Sequence, residues 1–221
     1  MPIFGGFEKI PRDQKTASYT LVATDFGRII EYTGAVAATI TLPAAADVGA
    51  GWWCVLENSG TGTTGLTKQL MISGTLDSVS NPAVYPGDTR MLQSDGANIT
   101  SILLTGGTLV LAQSDSPFNY VRPTTTTTHA VDLRGGGGGG AAGVVVAAAT
   151  ACSGGGAGGG GGKRVASLLS AALDATVTVT IGAAGVGGTT SGASGGQGGA
   201  TSFGTALNAY GGGGGKGGTS G

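Results

Sequence analysis

From Ser18 to about Ala112, short apolar runs alternate with turn residues. Tyr19-Thr20-Leu21-Val22 leads into Asp25-Phe26-Gly27-Arg28, which reads as a turn, and Ile29-Ile30-Glu31-Tyr32 follows. Thr39-Ile40-Thr41-Leu42 alternates with period two and stops at Pro43, the pattern of a half-buried strand. Trp52 to Asn58 predicts a buried strand, and Leu70-Met71-Ile72 and Met91-Leu92-Gln93 predict further ones. Ser94-Asp95-Gly96-Ala97-Asn98 carries the Asp-Gly signal of a tight hairpin, and Ile102 to Leu111 predicts a second hairpin closed by Gly106-Gly107. Short strands with frequent turns predict an all-β sandwich or barrel, and about 95 residues suffice for one core.

The pattern changes after Ala112. Between Gln113 and Arg134, Pro117, Pro123 and the run Thr124 to Thr128 favour an extended connector, a stiff spacer or an intertwined strand. His129 to Arg134 alternates and delivers the chain to a glycine-rich end. Residues 135–221 hold 33 of the 47 glycines, interrupted by apolar inserts: Val144-Val145-Val146, Val165 to Leu173, Val177 to Ile181 and Phe203 to Tyr210. A tract such as Gly135 to Gly140 has no side chains for a core and loses more conformational freedom on ordering than any other sequence. It is either a flexible tail, or one of several tracts lying side by side as extended left-handed helices whose amides and carbonyls bond across. A solvated linker is rich in Ser, Pro and charge, whereas this end has no proline and four charged residues, Lys163, Arg164, Asp174 and Lys216. Collagen is excluded by the missing Gly-X-Y period. The ordered, polyglycine-II-like alternative is therefore the expectation.

Charge narrows the function. Eleven basic residues against 12 acidic ones leave no electrostatic footprint for phosphate, so a nucleic-acid binder is excluded. No apolar run reaches the ~18 residues that span a bilayer. The start, Met1-Pro2-Ile3-Phe4-Gly5, lacks a secretory pattern, which predicts a chain made and assembled inside a cell. Cys54 and Cys152 fit no metal spacing and are expected as two buried or half-buried thiols rather than a disulfide.

Apparent catalytic motifs carry little. Gly158 to Gly162 before Lys163 mimics a phosphate loop, but Ala157 and Arg164 stand where glycine and a hydroxyl residue belong. His129 is the only histidine, which excludes a His-based triad or a multi-His metal site within one chain. The carboxylates are scattered, with Asp25 and Asp95 in turns where they cap their own backbone. No cofactor, metal site or enzymatic activity is expected. Trp52-Trp53 on a strand sends its rings to opposite faces, one to the core and one to a subunit contact or a sugar face.

Residues 1 to about 17 have no periodicity and suit a docking peptide, with Ile3, Phe4, Phe7 and Ile10 as its apolar contacts. The run Tyr19 to Glu31, followed by Ala38-Thr39-Ile40-Thr41-Leu42-Pro43-Ala44-Ala45 and Gly49-Ala50-Gly51-Trp52, resembles a module of bacteriophage tail fibre and other virion fibre proteins. Ser94 to Asn98 matches the turn that closes that module. Gly135 to Gly140, Val177 to Gly182, Gly198 to Gly204 and Tyr210 to Gly215 are similar to the glycine-rich domain near the carboxyl end of many phage fibres. The resemblance implies a homotrimeric structural protein of the virion, assembled in the host cytoplasm. Its residues 1–17 would attach to other virion proteins and residues 18–112 would form the β module. Residues 113–134 would be the connector, and residues 135–221 the distal domain that meets a host receptor of protein or polysaccharide. It implies neither nucleic-acid binding nor membrane insertion. Phe203 and Tyr210, alone in a glycine-rich field, are the candidate receptor contacts, with anchoring of the tracts as the other role. A head fibre or capsid or collar decoration without a receptor role is the alternative, and a polysaccharide depolymerase the more distant one.

Overall fold

The computed structural model describes residues 10–123, 126–148 and 150–220. They fall into two compact units, Met1–Leu111 with Val121–Thr126 and Ala112–Tyr120 with Thr127–Gly221. The chain is all-β, with several sheets, none of which closes into a barrel.

In the first unit the strands alternate between two sheets. Arg12–Lys15, Ile29–Tyr32 and Ala50–Asn58 are parallel neighbours in one, and Tyr19–Thr20, Ala38–Thr41 and Leu70–Ser73 are parallel neighbours in the other. The chain thus winds, each coil adding a strand to each sheet. Thr89–Asp95 and Ile99–Thr105 then extend the first sheet antiparallel, and Ala83–Val84 closes the second. Ile30, Trp52, Cys54, Leu56 and Leu92 from the first sheet meet Ile40, Leu70, Ile72 and Val84 from the second in one core. The alternation of Thr39-Ile40-Thr41 is what sends Ile40 inward.

The turns explain the winding. Asp25 accepts hydrogen bonds from Val22 N at 2.8 Å and from the Tyr19 hydroxyl at 3.1 Å, and Gly27, with φ +70°, donates to Trp53 O at 2.8 Å. This turn carries the chain from one sheet to the other. Residues 12–15, expected within the docking peptide, form an edge strand held by Arg12 to Glu31 at 3.0 Å and to Glu57 at 2.8 Å.

The Asp95–Asn98 hairpin forms as expected, with the Asp95 carboxylate accepting from Ala97 N and Asn98 N. The second expected hairpin does not. Ile102 to Thr105 completes the strand Ile99–Thr105, and Gly106-Gly107 ends it instead of reversing it. Gly107 N donates to the buried Asp88 at 2.6 Å and Thr108 N to Pro86 O at 3.0 Å. One bond to the Asp88 carboxylate and one backbone bond to Pro86 replace the ladder a hairpin would need.

In the second unit Phe118–Val121, Thr176–Thr180, Thr201–Phe203 and Leu207–Ala209 form one sheet, and Thr128–Arg134 pairs with Lys163–Leu169 in another. The stretch read as a connector therefore contributes strands. Leu133, Val177, Val179, Phe203 and Leu207 are buried there. Five of these strands run into or out of a glycine tract: tract 1 (135–143), tract 2 (154–162), tract 3 (182–188), tract 4 (193–199) and tract 5 (210–218).

The tracts bond to one another every third residue. Gly135, Gly138 and Ala141 of tract 1 donate to Gly162, Gly159 and Gly156 of tract 2 at 2.8–2.9 Å, and Gly136, Gly139 and Ala142 donate to Gly199, Gly196 and Ala193 of tract 4 at 2.9 Å. Carbonyls of tract 1 accept from Gly185 and Gly188 of tract 3 and from Gly212, Gly215 and Gly218 of tract 5. A three-residue repeat without internal bonds is the geometry of an extended left-handed helix. One chain supplies all of these neighbours. Ordering costs about 1–2 kcal/mol per residue and a bond returns about 1 kcal/mol net, so a tract is held only when several neighbours bond it together.

Candidate functional site

Alternation in Leu207–Ala209 buries Leu207 and Ala209 and turns Asn208 outward, and the next residue, Tyr210, opens tract 5 with its ring 73 % exposed. Gly162 N donates to Tyr210 O at 2.8 Å, which fixes the backbone that carries the ring. Arg164 stands opposite Leu133 in the ladder of Thr128–Arg134 with Lys163–Leu169. Arg164, Thr205, Ala206, Leu207, Asn208 and Tyr210 line an open hollow of about 260 Å³.

The neighbouring charges are partly occupied. Lys163 pairs with Asp132 at 3.2 Å and Arg134 with the same carboxylate at 4.0 Å, whereas Arg164 has no ion-pair partner among the described residues. An uncompensated guanidinium, a carboxamide, a hydroxyl and one face of a phenol ring share this hollow. Guanidinium binds carboxylate or phosphate oxygens in a fork, the amide and hydroxyl both donate and accept, and the ring offers an apolar face. These groups suit reversible recognition of a polar, ring-shaped ligand.

The two residues singled out in the sequence separate. Phe203 is 5 % exposed, stands opposite Val179 and packs against Tyr120 with ring centroids 5.4 Å apart and planes tilted by 56°, the position of an anchor. Tyr210 is on the surface. Ile10 is half exposed, and Ile3, Phe4 and Phe7 lie outside the described residues. Trp52 fills the core, while Trp53 faces out against the Phe26 ring, with centroids 5.9 Å apart. Cys54 is a buried free thiol, its pKa pushed up to about 12 by burial, whereas Cys152, expected to be at least half-buried, is an exposed free thiol.

One cluster escaped sequence reading. His129 is buried, with Nδ1 2.9 Å from the Tyr120 hydroxyl and Nε2 2.8 Å from Ser170 Oγ. A single histidine is enough for such a relay, so the inference that one histidine forbids a triad was too strong. Tyr120 and Ser170 are 50 positions apart in the chain, and no spacing rule links them to His129. The relay fastens a strand of each sheet to the turn Ser170–Ala172. Among the described residues no group of three or more His, Cys, Asp or Glu could hold a metal ion, and no helix is long and apolar enough to cross a membrane.

Residues 113–221 match the model of a family described as a glycine-rich domain. This match covers the connector as well as the tracts. No curated protein and no solved structure matches the chain.

Proposed function

We propose that the chain is a structural protein of a bacteriophage virion, a tail fibre or spike that attaches the particle to the host surface. The observation that carries this reading is the glycine scaffold. Its inward positions are closed by backbone bonds, and the side chains it does carry point outward, among them Tyr210, Lys216 and Gln197. That is an arrangement for display. The hollow at Arg164 and Tyr210 supplies the chemistry of a contact with a surface polysaccharide, by ring stacking and charge-assisted hydrogen bonds. The resemblance of the turn-and-strand module at Tyr19–Ala45 to virion fibre proteins supports the same reading, with residues 1–17 docking on other virion proteins. Trimerisation belongs to the proposal through that resemblance alone, because one chain already pairs its own tracts.

Adsorption tests it. Fluorescently labelled full-length protein is expected to bind host cells, purified host surface polysaccharide is expected to compete, and Arg164→Ala with Tyr210→Ala is expected to lose the binding while keeping the fold. A protein that does not adsorb, and that localises by immunogold to the particle head, would instead be a head fibre. Release of oligosaccharides from the polysaccharide would make it a depolymerase.

A further inference from the structure

Tract 1 is bonded on four sides. Extended three-fold helices pack with up to six neighbours, and the bonds give the order of those present. Tract 2 bonds tract 5, tract 5 bonds tract 4, and tract 4 bonds tract 3, while no bond joins tract 2 to tract 3 among the described residues. The four neighbours therefore take consecutive places around tract 1. Tracts 2, 1 and 3 form one layer, tracts 5 and 4 the other, and the outer side of the three-tract layer is uncovered.

Two further observations bear on that side. Gly137, Gly140 and Gly143 use their carbonyls within the unit, accepting from Gly185, Gly188 and Gly192, but their amides bond nothing among the described residues. They form a row of donors at the three-residue repeat by which every other pair of tracts is joined. The two layers also differ in dress. The outward rows of the two-tract layer carry Ser194, Gln197, Tyr210 and Lys216, whereas the row on tract 1 is glycine throughout. Internal packing does not demand this: a Cβ on Gly137 or Gly140 meets nothing nearer than 3.9 Å or 4.0 Å, and neither residue has a left-handed φ.

We propose that the uncovered side of the three-tract layer is an interface between two copies of this chain, closed by hydrogen bonds from the amides of Gly137, Gly140 and Gly143 to tract carbonyls of the second copy. An occupant must bring carbonyls at the same three-residue rise and no side chain where the backbones meet. The layer itself meets both conditions. Charged ligands find no charge on this side, since the outward residues flanking tract 1 are Gly and Ala, as at Ala157, Gly160, Ala184 and Gly187. A tract of nine residues is about 28 Å long, and three tracts are about 14 Å wide, so the contact covers roughly 400 Å² per copy against ~800 Å² for a standard interface. Association is therefore concentration-dependent and strongest where copies are held together.

Sedimentation equilibrium of the full chain over a concentration series tests this, with Gly140→Gln and Gly213→Gln as the two variants. Both positions have room for a side chain, and Gly213 faces outward on the two-tract layer, with nothing within 4 Å of its Cβ position. Wild type is expected to self-associate, Gly140→Gln to weaken association at least about tenfold, and Gly213→Gln to leave it unchanged. Hydrogen exchange is expected to slow at Gly137, Gly140 and Gly143 as wild-type concentration rises. A wild type that stays monomeric at every concentration overturns the proposal, as does an assembly that Gly140→Gln leaves intact. Protection of these amides only in the assembled particle overturns it too, in favour of another glycine-rich virion protein as the occupant.

Discussion

Gly137 and Gly138 are adjacent, share one extended backbone and are expected to respond to alanine with opposite signs. A Cβ on Gly138 overlaps Gly213 O and C of tract 5 at distances below the 3.0 Å that real Cβ atoms essentially never show. Relief requires tract 5 to move off tract 1, which breaks the bonds from Gly212, Gly215 and Gly218 to Gly136, Gly139 and Ala142. Three backbone bonds at about 1 kcal/mol each make Gly138→Ala destabilising by about 3 kcal/mol, before any overpacking strain of 1–3 kcal/mol. A Cβ on Gly137 meets nothing closer than 3.9 Å. There alanine narrows the unfolded ensemble, so Gly137→Ala is expected to stabilise by about 0.4–1 kcal/mol. Calorimetry of the full chain, at dilution where copies do not associate, reads both. The transition of the glycine-rich unit is expected to fall by roughly 12 °C or more in Gly138→Ala and to rise by a few degrees in Gly137→Ala. Equal shifts in the two variants, or a neutral Gly138→Ala, would refute the claim that the tracts need glycine for close approach. Conformational freedom alone would then be the reason, since no residue of Gly135 to Gly140 takes a left-handed φ.

The remaining expectations concern single groups. Ellman's reagent is expected to titrate Cys152 rapidly in the native protein and Cys54 only after denaturation, even at pH 9, because burial holds the Cys54 thiol near 12; a fast second equivalent in the native state would contradict the buried placement. Glu31 is held below its ordinary 4.5 by the Gln14 amide first and then by Arg12, against burial that raises it. A lowered folded value gives stability that is present above 4.5 and lost as pH falls through the folded value, so acid unfolding below about pH 4.5 is expected to be steeper in wild type than in Glu31→Gln; parallel profiles would remove Glu31 from the account. Asp88→Ala leaves the buried Arg90 guanidinium without the carboxylate 3.4 Å away and Gly107 N without its acceptor, an expected loss of about 3 kcal/mol in urea denaturation, with faster exchange at Gly107. Asp88→Ala with wild-type stability would show that pair to be dispensable.

Some of this architecture was legible in the residue order. Period-two runs such as Thr39 to Leu42 identify strands because the pleat forces side chains to alternate, and the Asp95-Gly96 pair identifies its hairpin because Gly96 takes φ +91° at a turn. The absence of proline and charge after Leu133, apart from Arg134, Lys163, Arg164, Asp174 and Lys216, marked that half as ordered, because a solvated tail has a different composition. That Trp52 and Trp53 point to opposite faces followed from the same alternation, and the structure decided that Trp52 is the buried one.

Partner choice was decided only in three dimensions. An apolar alternation says which face is buried and nothing about which strand lies alongside, so parallel winding between two sheets looks, in one dimension, like a series of hairpins. Gly106-Gly107 carries a hairpin signal that the buried Asp88 overrides by taking the Gly107 amide. Phe203 and Tyr210 have similar sequence surroundings, yet Phe203 stands opposite Val179 and is buried while Tyr210 begins a tract and is not. The same holds for the glycines. Gly137 and Gly138 are indistinguishable in sequence, and only the arrangement of five tracts makes glycine indispensable at 138 and leaves 137 unhindered within the chain, because the requirement at 138 is set by backbone atoms of Gly212 and Gly213, 74 and 75 positions away. Composition thus determined that main-chain bonding would hold this half together, and tertiary packing determined which amides it would use and which it would leave open.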